Sequence, residues 1–325
     1  MLFSIKPIDF LMKTDVHQHL WTEPILDALA ARSAFPFIAR ENGLSVLYLA
    51  GERPYVIDVA GEALERRLEL VERDGLDRAL VCLSSPLGIE WLPSAEAATL
   101  LDAYHDGALS LGGAFGAWAA IALRDPDPEE LDRALARGCV GLSLPAGAIG
   151  SVDSLHRLRA VLDRLQDHGA PLLVHPGPGP DRSAERLCTQ TSLGEPLWWP
   201  ALTNYVAGMQ QAWLAFGAAG RASHPDLRVI FTMLAGLAPL HGERLRSRGG
   251  PAAAPDPLVF YDTSSYGPAT ASVVADVVGD GQLLYGSDRP VVDPGELDMP
   301  RRLDWDSVLD ATRRALGAVA AGVAR

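Results

Sequence analysis

Along nearly its whole length the chain alternates short apolar runs with longer amphipathic stretches, and this alternation restricts the fold more than any other feature. The runs are "TDVHQHL" (14–20), "RALVCLSSP" (78–86), "FGAWAAIAL" (115–123), "VGLSLPAG" (140–147), "APLLVHPG" (170–177), "LRVIFTML" (227–234), "LVFYDTSS" (258–265) and "QLLYGSDRP" (282–290). Each is followed by a stretch with helical spacing, such as "AGEALERRLELVERDG" or "DPEELDRALARG", the second with Asp and Pro at its start and Gly at its end. Near-continuous apolar strands separated by helices predict a parallel sheet covered by helices. Eight such units predict an α/β chain closed into a (β/α)8 TIM barrel. An open doubly wound sheet competes, but no GxGxxG turn follows the first strand. A single barrel domain over residues 1–325 is therefore expected, interrupted twice. Residues 35–60 read as a β-hairpin inserted after the first strand and turning near "GERP"; residues 178–202 read as a long Pro- and Gly-rich loop after the fifth.

Composition narrows the functional classes. A net charge of −13 offers no basic footprint for nucleic acid and repels acidic membrane surfaces. No run is long and uninterrupted enough to span a bilayer, and Asp9 inside the first apolar stretch argues against a signal peptide. Three widely spaced cysteines, Cys82, Cys139 and Cys188, suit buried thiols in a reducing cytosol, so a cytoplasmic protein is expected. Of 28 basic residues only Lys6 and Lys13 are lysines, and both precede the first motif. Chemistry that needs a lysine deeper in the chain, whether a Schiff base or a carbamate bridging two metals, is thereby disfavoured.

Barrel enzymes work at the C-terminal ends of their strands. Strand one ends in His17 and His19, which leave the same face at a spacing of two. Strand five ends in His175, and strand eight in Asp288. Four nitrogen and oxygen donors from three strands would converge over one barrel mouth, a set that suits one divalent ion: zinc first, with manganese and iron as alternatives. Asp15 shares the face of His17, where it would orient an imidazole or cap the strand entry.

"DVHQHL", "LLVHPG", "HPDLRVIF", "YDTSS" and "YGSDRP", in that order between Asp15 and Pro290, resemble the amidohydrolase superfamily. The resemblance is to its amidohydrolase-related branch, which holds aminocarboxymuconate-semialdehyde decarboxylase-like enzymes and several lactone hydrolases. It implies that His17, His19, His175 and Asp288 hold a single metal, that Asp288 handles the proton of the bound water, and that the chain forms a homodimer. One departure stands out. The family pattern places a histidine at the end of strand six, where this chain has Met233, and a thioether neither polarises a carbonyl nor moves a proton. His224, before that strand, reads as a surface histidine at the wrong end of the barrel. His241 is the better substitute: with Pro239 in the first helical turn it falls near a helix N-terminus, on the face where the strands end, although a capping or packing role competes.

Arg53, Arg182 and Arg289 are candidates to clamp a substrate carboxylate, and Trp198, Trp199 and Tyr266 to wall an apolar substrate. Ser84 and Ser85 lack a surrounding GxSxG. The leading expectation is a metal-dependent hydrolase of a small lactone, amide or related carbonyl compound, with metal-activated water and Asp288 as general base. Non-oxidative decarboxylation of a small carboxylated substrate is the first alternative. A lapsed barrel that binds a ligand or partner is the second.

Overall fold

The computed structural model describes residues 12–50, 53–180, 196, 198–250, 255–293 and 304–317. Eight parallel strands form two arcs. One is β1 (Thr14–Gln18), β5 (Arg78–Val81) and β6 (Phe115–Ala117). The other runs from β7 (Leu142–Pro145) through β8 (Leu172–His175), β9 (Val229–Phe231) and β10 (Val259–Asp262) to β11 (Leu283–Leu284). Backbone hydrogen bonds join both seams. Ala119 N–H donates to Gly141 O at 2.8 Å, and Val16 N–H donates to Tyr285 O at 2.9 Å. The eight expected strands thus close into a ring, the (β/α)8 arrangement.

Strand alternation sorts the core into two parts. Outward residues such as Ala79, Val81, Leu172, Val174, Val229 and Phe231 pack with the surrounding helices. Inward residues Val16, Leu80, Trp118, Leu173, Ile230, Phe260 and Leu284 fill the barrel, joined by Ala311, Ala315 and Leu316 of the C-terminal helix. That helix, Trp305–Leu316, is amphipathic and capped by the Asp304 carboxylate, which accepts the Asp306 N–H. Two residues beyond this apolar layer, the same strand faces carry Cys82, His175, Thr232 and Asp262. The polar site therefore sits directly on the barrel's apolar filling. β1 reaches it by a register shift between Asp15 and Gln18, which lets Val16 join the filling while His17 and His19 both reach the site.

The segment inserted after β1 is a three-stranded antiparallel sheet of β2 (Phe37–Glu41), β3 (Leu44–Tyr48) and β4 (Tyr55–Ile57), rather than one hairpin. Its tight turn is Asn42–Gly43, both at positive φ (50° and 81°), as a two-residue hairpin loop requires. "GERP" lies instead in the wider connection between β3 and β4, of which residues 51–52 fall outside the described residues. Most of the loop expected at 178–202, including Arg182, also falls outside them, as does Cys188. His224 is buried, not on the surface: its Nδ1 lies 3.3 Å from Gly220 O and its Nε2 3.2 Å from the Asp163 carboxylate. Among the described residues no helix is long and apolar enough to cross a membrane.

Candidate metal centre and its cavity

His17, His19 and His175 converge at the mouth of the barrel, each buried, their rings edge-to-face with centroids 4.8–5.2 Å apart. In all three, Nδ1 faces an acceptor. His17 Nδ1 lies 2.8 Å from Asp262 Oδ2, His19 Nδ1 3.0 Å from Cys82 O, and His175 Nδ1 2.7 Å from Pro176 O. Carbonyls only accept, and so does an ionised carboxylate, so each Nδ1 carries a hydrogen and each Nε2 is left to the site. The Nε2 atoms of His19 and His175 are 3.1 Å apart, and the buried Nε2 of His17 has no hydrogen-bond partner. At that distance the two nitrogens are joined either by one shared proton or by a cation between them. Tetrahedral coordination at about 2.0–2.1 Å sets ligand nitrogens roughly 3.3 Å apart, so the donor set fits one divalent ion.

Asp288 closes the open side of the cluster, its Oδ1 3.2 Å from His19 Nε2 and 3.5 Å from His17 Nε2. It holds a left-handed backbone, φ 59°, fixed by its own N–H donating to His17 O at 3.0 Å. Burial opposes charge on the β1 imidazoles. Cys82 and Asp262 outweigh it at His17, which is held well above the usual range, and Cys82 and Asp288 outweigh it at His19, held at about 9. Burial, then His17 and His19, push His175 far the other way. Burial also raises the Cys82 thiol, but His19 and His17 more than offset this and bring it to about 7. Burial raises Asp288 too, and the three histidines reverse that and hold its carboxyl below the ordinary range. A bound dication would take the place of the protons this cluster otherwise retains.

The orienting carboxylate is Asp262, not Asp15. Asp262 Oδ1 accepts the N–H of Met233 at 2.9 Å, the N–H of Ser264 at 3.0 Å and the Ser264 hydroxyl, which leaves Oδ2 for His17. Gly286 makes room for it: a Cβ there would stand 2.5 Å from Asp262 Oδ2. Met233 delivers its N–H from a run of five residues at positive φ, Met233 to Leu237, of which only Gly236 adopts that conformation freely. Asp15 instead ties β1 to β11's continuation, accepting the N–H groups of His17 and Ser287, each at 3.0 Å, and the Gln18 amide at 2.8 Å. Gln18 in turn accepts from Arg67, whose guanidinium also donates to His19 O and pairs with Glu62. Neither Asp262 nor Arg67 is marked by the spacing of the site motifs.

A cavity of 670 Å³ opens above His19, walled by Trp21, Leu47, Leu49, Tyr55, Leu87 and Tyr205 and carrying Arg53 and Ser84 on its lining. The inserted sheet thus roofs the site. Of the other residues expected at a substrate, none is among the described lining. Arg289 is buried and committed to Asp74, at 2.5 Å, and Asp293, at 3.2 Å. Trp198 is 56% exposed and leans on Trp199. Tyr266 packs against the outer core. His241 is exposed at the far end of the turn that begins at Met233, because the left-handed run occupies the residues that would have carried it to the mouth. Ser85 is buried and donates to Glu90.

No family model and no curated protein matches the sequence. Solved structures do. An IDCase from Metarhizium anisopliae in apo form superposes with a TM-score of 0.70 at 17% identity, over 95% of this chain and 93% of that one. A 5-carboxyvanillate decarboxylase from Sphingomonas paucimobilis gives 0.66 at 17%, over 96% and 98%. One from Novosphingobium aromaticivorans, complexed with manganese and 4-hydroxy-3-methoxy-5-nitrobenzoic acid, gives 0.62 at 17%, over 98% and 97%. What the chain shares with these proteins over nearly its whole length is the fold.

Proposed function

We propose that the protein is a metal-dependent enzyme that removes a carboxyl group, without oxidation, from a small carboxylated aromatic substrate. The observation that carries this reading is the union of three outward-facing Nε2 atoms and one carboxylate with an apolar, aromatic-walled cavity that also holds a guanidinium. Structural neighbours that are themselves decarboxylases of carboxylated aromatics support it over hydrolysis.

His17, His19 and His175 would hold the ion, with zinc and manganese as the leading candidates and Asp288 beside it. A divalent ion at that place would neutralise the oxygens of the bound substrate and withdraw electron density from its ring. Trp21, Tyr55 and Leu87 bury the ring and exclude water, and Arg53 offers a bidentate partner to an anionic substituent. Loss of CO2 leaves an electron pair on the ring carbon, which must take up one proton. With Met233 unable to donate and His241 exposed elsewhere, that proton would come from water in the cavity, relayed by the Asp288 carboxylate, which takes it from the water, hands it to the ring carbon and ends ionised again, the hydroxide leaving to solvent.

The test is incubation of metal-loaded protein with carboxylated phenols in D2O, with CO2 release and deuterium at the vacated carbon as the expected result. Met233 also favours a second reading, hydrolysis of a small lactone or amide with Asp288 as base, since that chemistry needs no strand-six histidine. Ring opening of lactones without CO2 release from any carboxylated aromatic would replace the first reading with the second.

A further inference from the structure

Two cavities, each of 670 Å³, lie against one face of the inserted sheet. Directly opposite residues of an antiparallel pair share a face, and the register pairs Ile38 with Leu47, Arg40 with Ser45 and Leu47 with Tyr55. Leu47 and Tyr55 line the cavity beside His19, whereas Ile38, Arg40 and Ser45 line the second, together with Leu26 and Leu64. Trp21 is the one residue on both described linings. We propose that Trp21 is a specificity-determining residue: its indole is the partition that stops a substituent directed from the metal position toward the second cavity, and so holds the enzyme to substrates with nothing bulky on that side. This rests on reading the first cavity as the substrate site and goes beyond it in assigning what limits the substrate's reach.

Chain order places the partition. His19 lines the first cavity, Leu20 and Thr22 line the second, and Trp21 stands between them where the chain leaves β1. The main chain of Trp21 is fixed: its N–H donates at 3.0 Å to Glu62 Oε2, and the same oxygen accepts from the buried Arg67 guanidinium at 3.1 Å. Glu62 itself belongs to the lining of the second cavity. The backbone is thus tied on that side, and the indole is the part that reaches the first cavity. Because the tie runs to the main chain, shortening the side chain removes the ring and keeps the Glu62 bond. A ring that then crosses into the second cavity meets Leu26, Ile38 and Leu64, and its burial there is worth about tenfold or more in affinity.

The experiment measures binding by calorimetry on the zinc-loaded full chain, with zinc content fixed by elemental analysis and CO2 release read alongside. The probes are a hydroxybenzoate and the series of its phenyl-substituted regioisomers. In Trp21→Ala at least one regioisomer should gain about tenfold or more in affinity relative to the parent, with zinc content unchanged. Trp21→Phe keeps a ring in place and should gain far less. Ser45→Trp puts an indole into the second cavity and should cancel the gain when added to Trp21→Ala. Ratios within about twofold of wild type for every regioisomer would overturn the assignment, while binding of the parent would leave the substrate-site reading standing. A wild-type chain that takes every regioisomer as tightly as the parent would overturn it too, as would a gain that survives Ser45→Trp. Failure of the wild-type chain to bind the parent or any regioisomer would overturn both readings. Should Trp21→Ala fail to fold, Trp21→Leu, apolar and smaller than the indole, carries the same comparison.

Discussion

Replacing Asp262 by asparagine isolates what the orienting carboxylate contributes. Oδ1 of Asp262 accepts from the Met233 and Ser264 amides and the Ser264 hydroxyl, while Oδ2 takes the proton on His17 Nδ1 at 2.8 Å. In the variant the amide oxygen can keep the first set, and the amide NH2 then faces His17. An NH2 group only donates, so His17 must present a bare Nδ1 and carry its hydrogen on Nε2. That closes the lone pair which faces the metal position. Changes of this kind in the partner of a ligand histidine cost roughly 10–100-fold in metal affinity, or about 1.4–2.8 kcal/mol. The fold should lose much less, about 1 kcal/mol, because one hydrogen bond of four is rearranged. Competition between protein and a coloured chelator for zinc, at one pH, measures the first quantity, and thermal unfolding of the metal-free chain the second. Zinc binding within twofold of wild type would refute the argument that Asp262 sets the His17 tautomer.

Two further outcomes follow from the same geometry and from the helical shell. Gly286→Ala would drive a methyl group against Asp262 Oδ2, and a clash of that kind costs about 1–3 kcal/mol; metal affinity should fall with it, and a variant whose stability and zinc affinity both match wild type would show that Asp262 has room to move. His105, buried on the helix Ser94–Ser110, accepts the Ala120 N–H at 3.1 Å. Burial, with Arg137 adding to it, lowers its pKa from 6.5 to about 4. Between those values the unfolded chain binds more protons than the folded one, so this contribution is complete above the unfolded pKa and is lost as pH falls toward the folded one, by about 3 kcal/mol. Thermal unfolding across that window should show a flatter pH dependence in His105→Gln than in wild type, and parallel curves would assign the dependence to other groups.

The barrel was legible in the sequence because its strands are nearly continuous apolar runs, a pattern that depends on local composition alone. His17, His19 and His175 were legible for a related reason: each stands where a run stops, and in a barrel that is the working end. Cys82, expected only as a buried thiol, borders the cluster without any sequence mark, because within "RALVCLSSP" a cysteine reads as one more small apolar residue. Asp262 stood in a quoted motif without a role, since its partner His17 is 245 positions away and only the closed ring brings them together. A helix leaving directly from the strand end would bring His241 to the mouth. The chain instead spends five residues in a left-handed turn that no periodicity signals. The Asn42–Gly43 dipeptide itself signals a two-residue hairpin turn.

That left-handed turn bears on how such a barrel can change its chemistry. The support of Asp262 takes from position 233 only a backbone N–H, which every residue except proline supplies, while the side chain packs in the buried core. The hydrogen bonding of Asp262 is thus indifferent to the side chain at 233, which the core packing constrains instead. Exchange at 233 for a residue of similar buried volume would therefore change the chemistry available there without removing the hydrogen bond that Asp262 accepts.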